Sequence, residues 1–99
     1  MRPLTLIQVL VLSKVIEHNG TVANTVGNDC GIHYQSATAW AHSKLLGLEK
    51  RGLIERRSET DLYFTATQEG LMEYENRKKD LVAAGDYVPN RKKFSNEIV

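Results

Sequence analysis

Between Leu4 and Ile16 the chain reads Leu-Thr-Leu-Ile-Gln-Val-Leu-Val-Leu-Ser-Lys-Val-Ile, apolar on almost every side of the helix it predicts. Thr5 and Gln8 stand at the spacing of a capping box, and Leu4 and Val9 occupy the staple positions around the cap. The helix should run to about His18, with Gly20 available for a left-handed turn that ends it. A helix apolar nearly all round must be covered on more than one side. In a chain of 99 residues a second subunit is the expected further cover.

That length suits one domain over 1–84, followed by an irregular tail over 85–99 with Pro89 and the cluster Arg91-Lys92-Lys93. A chain this short buries roughly 60–70% of its unfolded surface, enough for one core but a tight fit for a core plus a walled active site. The apolar share of 41% and charged share of 25% are those of an ordinary globular protein, which sets aside disordered and collagenous classes. Cys30 is the single cysteine, so neither an intrachain disulfide nor a thiolate zinc cluster can form. The N-terminal apolar run breaks at Ser13-Lys14, is too short to span a bilayer and lacks a small-residue cleavage site. The expectation is a cytoplasmic protein with no membrane segment and no cofactor.

The net charge of +1 says little, but its distribution is uneven. Through Ser58 seven basic residues stand against four acids, and after it six stand against eight. The basic surplus lies in the first half, where any polyanion would be met.

A short second helix is predicted over about Thr21–Cys30, capped by Thr21, with Val22, Val26 and Cys30 on one face and Gly31 closing it. A third runs from about Gln35 to Arg51, with Ala37, Ala41, Leu45 and Leu48 as its buried stripe and Gly52 just past its end. Leu53–Arg57 and Leu62–Thr65 read as two strands around the polar turn Ser58-Glu59-Thr60-Asp61. Thr67 can cap a fourth helix reaching about Ala84, with Leu71, Tyr74, Lys78, Leu81 and Val82 on one side. The fold class is mainly α with a small β-hairpin, α+β.

The segment from Leu45 to Arg56, Leu-Leu-Gly-Leu-Glu-Lys-Arg-Gly-Leu-Ile-Glu-Arg, resembles the join between recognition helix and wing in MarR-type and PadR-type regulators. Tyr63-Phe64-Thr65-Ala66-Thr67-Gln68-Glu69-Gly70 is similar to the strand that leads into the next helix in those families, and the Ala-rich helix ahead of the join matches as well. The resemblance spans about Leu4 to Asn76 and implies a winged helix-turn-helix with an extra C-terminal helix. It departs from the families at Trp40, His42 and Ser43, and at the short wing tipped by Glu59 and Asp61.

In such proteins the second helix of the motif enters the major groove, and its N-terminal residues meet base edges. With Ala41 at the centre of the buried side, helical steps of about 100° turn Gln35, Ser36, Ala39 and Ser43 outward, with Thr38 and His42 toward the flanks. Gln35, Ser36, Ala39, His42 and Ser43 are thus the candidate base contacts. Thr38, Lys44, Arg56 and Arg57 are the candidate phosphate contacts. The acidic wing tip argues against minor-groove reading by the wing. The expected function is sequence-specific binding of double-stranded DNA by a transcriptional regulator, a repressor before an activator, dimerised through its first and C-terminal helices. The alternative is a winged helix used for protein contacts, such as an antirepressor or an assembly factor of a mobile element. With no phosphate-binding loop and no spaced carboxylate pair in view, an enzyme is not expected.

Overall fold

The computed structural model describes residues 2–32, 34–56, 58 and 63–83, with Tyr34 and Gln35 described in their backbone alone. Helix α1 (Leu6–Glu17) starts at the expected capping box: the Thr5 N–H donates to Gln8 Oε1 at 2.8 Å, and the Gln8 N–H donates to Thr5 Oγ1 at 3.2 Å. Val9, Leu10, Val11, Leu12 and Val15 are buried, and Leu4 beneath the cap is buried with them. The helix ends where the Asn19 N–H reaches the Ile16 carbonyl and the Gly20 N–H reaches that of Val15, a double closure with Asn19 in the left-handed region at φ 55°. Asn19 therefore makes the turn that Gly20 was expected to make, and Gly20 continues the reversal at φ 108°.

The reversal sends the chain into a strand where the spacing predicts the start of a helix. Strand β1 (Thr21–Val22) occupies the first two residues assigned to the second helix. Helix α2 is correspondingly shorter (Ala23–Asp29), and its N-cap is Val22, which makes no side-chain cap bond. Thr21 is buried in the strand, whereas Val22 is exposed rather than on the core face. The other anchors of α2 hold: Val26 and Cys30 are both fully buried.

Helix α3 (Tyr34–Lys50) follows Gly31, which at φ 81° closes α2 by the same pair of bonds, from its own N–H to Asn28 and from Ile32 to Gly27. The stripe Ala37, Ala41, Leu45, Leu48 is buried throughout. At the far end Gly52, φ 76°, donates to the Glu49 carbonyl at 2.9 Å, and the Leu53 N–H donates to that of Leu48 at 3.1 Å. Leu48 and Leu53 thus meet the core on either side of the helix stop, as their spacing suggested.

Strands β2 (Ile54–Glu55) and β3 (Tyr63–Ala66) pair antiparallel, with Ile54 opposite Ala66 and Glu55 opposite Thr65. Strand β1 joins the other edge of β3, Thr21 opposite Phe64, giving the order β1-β3-β2. The turn Ser58–Asp61 falls outside the described residues except for Ser58, and so does the tail over 85–99. Thr67 then caps α4 (Gln68–Ala83): its hydroxyl donates to the Gly52 carbonyl at 2.6 Å and accepts from the Gly70 N–H at 3.1 Å. One side chain ties the start of α4 to the end of α3.

The protein is therefore mainly helical with a small three-stranded antiparallel sheet. Helix α1 lies at its centre, packed against α4, α3, β3 and α2. Most of its apolar surface is covered by its own chain, so the cover expected from a second subunit is already present; only Leu6, Ile7 and Ile16 remain half-buried. Among the described residues, the exposed large apolar side chains are Val22 and Tyr63, paired across β1 and β3, and three on α4. Gly70 and Leu81 are its buried residues and Tyr74 packs beside them, while Leu71, Met72 and Val82 are exposed. The helix is thus seated by Gly70 against the Leu53 carbonyl and by Tyr74 and Leu81 of the expected stripe, whereas Leu71, Lys78 and Val82 of that stripe face solvent.

Candidate nucleic-acid interface

Two short closures fix how α3 stands on the domain. Gly27 lies so close to α3 that a Cβ there would sit 2.3 Å from the Ala37 carbonyl oxygen. On the outer side, Asn28 Nδ2 donates to Asn24 Oδ1 and Asn24 Nδ2 donates to Thr38 Oγ1, each at 3.0 Å. A glycine contact below and a polar chain above hold α2 and α3 as one rigid pair. Thr38, a candidate phosphate contact, is exposed and serves this chain as an acceptor.

With the pair held so, the N-terminal half of α3 turns Ser36, Thr38, Ala39 and Ser43 to solvent. Three of the five candidate base contacts, Ser36, Ala39 and Ser43, therefore share one exposed face. The Ser43 hydroxyl donates to the Trp40 carbonyl at 3.0 Å, which keeps it low on the helix. Trp40 is half-buried against the core, and Lys44 Nζ lies 5.5 Å from its ring centroid. A cation held over an indole stays near the helix flank without being neutralised. Gln35 as a side chain and Arg57 altogether lie outside the described residues.

Two expectations need correction. His42 is half-buried, and its ring meets Phe64 of β3 edge-on, centroids 6.5 Å apart at 64°. It sits on the flank where the helical steps put it, in the seam between α3 and the sheet, with its ring turned to Phe64 rather than to a base edge. Arg56, expected on phosphates, is a strut instead. Its Nε donates to Glu49 Oε2 at 2.9 Å, its second terminal nitrogen donates to Glu49 Oε1 at 3.0 Å, and its guanidinium lies 5.4 Å from the Phe64 ring centroid. With a side-chain exposure of 15%, the group is paired, stacked and largely withdrawn from solvent. Such a two-point charge-assisted pair is among the stronger side-chain interactions. The signal for it was present in Glu49 and Arg56, which lie on either side of the Gly52 stop, but it became readable only with Phe64 placed beneath them.

The electrostatics of the face follow from what α3 leaves out. From Tyr34 to Leu48 the helix carries no carboxylate, its first acid being Glu49, which Arg56 neutralises. Lys44 and Lys50 are the helix's own cations. Arg51 is turned back, donating to the Arg2 carbonyl at 2.6 Å.

Elsewhere the chemistry is structural. His18 Nε2 pairs with Asp29 Oδ2, joining the ends of α1 and α2. Cys30 is fully buried, and burial pushes its thiol up to about 12; the nearby Lys14 charge opposes this and Asp29 adds to it. Among the described residues no cluster of His, Cys, Asp or Glu could hold a metal ion, and no helix is long and apolar enough to cross a membrane. Comparison of the chain with protein-family models, curated proteins and solved structures returns no match.

Proposed function

We propose that this chain is a winged helix-turn-helix protein that binds double-stranded DNA in transcriptional control, as a repressor before an activator, with α3 in the major groove. The element order α1-β1-α2-α3-β2-β3-α4 around the sheet β1-β3-β2 supports that arrangement. The observation that carries the reading is the exposed face of α3. Ser36, Ala39 and Ser43 are all short, so the helix backbone can approach base edges closely, and no carboxylate interrupts them. Hydroxyls can pair with bases or phosphates, and an exposed alanine methyl suits the thymine methyl.

Fluorescence anisotropy with a random duplex, from about 50 to 200 mM salt, tests the reading. Each phosphate neutralised contributes a slope of about −0.9 in log affinity against log salt, so two protomers using Lys44 and Lys50 give roughly −4. Ala39→Glu, which sets a carboxylate in the middle of an exposed face, should abolish this binding and leave the helical signal unchanged. Absence of duplex binding at the lowest salt overturns the proposal. In that case the second reading, a protein-contact winged helix, takes its place; the commitment of Arg56 to Glu49 already favours it by leaving few cations for DNA.

A further inference from the structure

The polar chain along the outer seam of α2 and α3 has a direction. Asn24 and Asn28 stand one helical turn apart on α2, so their amides meet on the same face. Asn24 gives its carbonyl oxygen to the Asn28 amide and an amide hydrogen to Thr38 Oγ1, each link 3.0 Å long. That double commitment sets which way the Asn24 amide faces, and the Thr38 oxygen enters the chain as an acceptor. A hydroxyl that accepts still has its own hydrogen to give. Among the described residues none takes the Thr38 hydrogen.

The seam therefore offers donors. The Thr38 hydroxyl hydrogen and the second hydrogen of the Asn24 amide are unspent, on atoms 3.0 Å apart and within reach of one anion. Asn24, Asn28 and Thr38 are all exposed. The chain's unspent acceptor, Asn28 Oδ1, is at the other end from Thr38. Charge agrees with the donors. Asp29 is the one carboxylate of α2 and is turned to His18, and α3 has none before Glu49, so neither helix opposes an anion at the seam.

We infer that Thr38 and Asn24, held by Asn28, form a neutral seat for a backbone phosphate of the duplex. Thr38 donates to the phosphate oxygen, and Asn24 keeps it turned outward as a donor. A phosphodiester accepts and never donates, which is the polarity the chain leaves open. The place also suits it, because the first helix of such a pair crosses the DNA backbone while the second lies in the groove. This deepens the proposed function and rests on it. The seat fixes the register of α3 on the duplex and reads no base.

The test is anisotropy of the full chain with a random duplex at about 50 and 200 mM salt. Thr38→Val keeps the shape of an exposed side chain and removes its hydroxyl. It should weaken binding roughly tenfold at both concentrations and leave the salt slope unchanged, since a neutral donor displaces no counterion. Thr38→Ser should bind as the wild type does. Asn24→Ala should cost roughly threefold in the wild-type chain and nothing further in the Thr38→Val background, because it acts through that hydroxyl. A merely structural Asn24 would cost the same factor in both backgrounds, and that result overturns its positioning role. Equal affinity of Thr38→Val and wild type overturns the seat and leaves the DNA reading standing. Absence of duplex binding by the wild type overturns both.

Discussion

The same substitution, glycine to alanine, should have opposite signs at three helical positions. A Cβ on Gly70 would lie 2.0 Å from the Leu53 carbonyl oxygen, where ordinary contact begins at 3.4 Å, and one on Gly27 would lie 2.3 Å from that of Ala37. In both cases the obstacle is backbone, which cannot swing aside as a side-chain end can. At Gly70 the helix must lift, which strains the Thr67 N–H bond to Leu53 at 3.0 Å and the Thr67 hydroxyl bond to Gly52 at 2.6 Å. Overpacking of about 1–3 kcal/mol and about 1 kcal/mol for each weakened bond are offset by about 1 kcal/mol of helix propensity. Gly70→Ala should therefore cost about 2–4 kcal/mol net, and Gly27→Ala should destabilise as well. Gly47 has nothing within 4 Å of its Cβ position, so Gly47→Ala should stabilise by about 0.5–1 kcal/mol. Urea unfolding of the three variants at 25 °C measures the differences, and in a thermal scan Gly70→Ala should fall by about 10–20 °C. If Gly70→Ala proved as stable as Gly47→Ala, the seat of α4 on Leu53 would be refuted, and with it the exposure of Leu71 and Val82.

Arg56→Ala should destabilise the fold by about 1–3 kcal/mol in urea titration, because it strands the Glu49 carboxylate and uncovers Phe64; a change within 0.5 kcal/mol would show that the strut carries no weight. Cys30 gives a pH signature with a definite sign. Its thiol stays protonated in the folded state up to about 12 but ionises at the ordinary thiol value of 9.0 in the unfolded chain, so stability should be full below about 9 and fall through the window from 9 to 12. The slope should approach about 1.4 kcal/mol per pH unit, and Cys30→Ala should remove that slope. The native protein should also resist thiol reagents that label the urea-unfolded chain at once, and equal labelling rates would contradict the burial.

Much of the domain was legible because its signals are local. The Thr5–Gln8 box, the stripe from Ala37 to Leu48, the Gly52 stop and the Thr67 cap each lie within a few residues, and each recurs in the structure where its spacing put it. What escaped was non-local. Strand β1 is two residues long, too short for an alternation to register, and exists because Thr21 finds Phe64 far along the chain. His42 and Arg56 looked like surface residues for the same reason: Phe64, the ring both of them meet, belongs to β3 and reaches them only through the sheet pairing. Asn19 took the turn from Gly20 because a short polar side chain tolerates the left-handed region, leaving Gly20 where a Cβ would strike Tyr63 at 2.7 Å.

The loss of Arg56 from the candidate contacts changes how the proposed binding must work. A protomer whose α3 offers Lys44 and Lys50 and whose Arg56 is spent on Glu49 has a small electrostatic term, and that term supplies most nonspecific affinity for DNA. The short exposed side chains of α3 must then supply the rest, and they act only on direct contact with base edges or phosphate oxygens. Lys44→Ala should flatten the salt slope by about one unit per protomer and lower affinity for all sequences alike, whereas Ala39→Glu should weaken binding at every salt concentration. Anisotropy titrations of the two variants against a random duplex at two salt concentrations separate these cases. If Lys44→Ala left the slope unchanged, the Lys44 charge held over Trp40 would not be meeting phosphate, and the protein-contact reading would take the place of DNA binding.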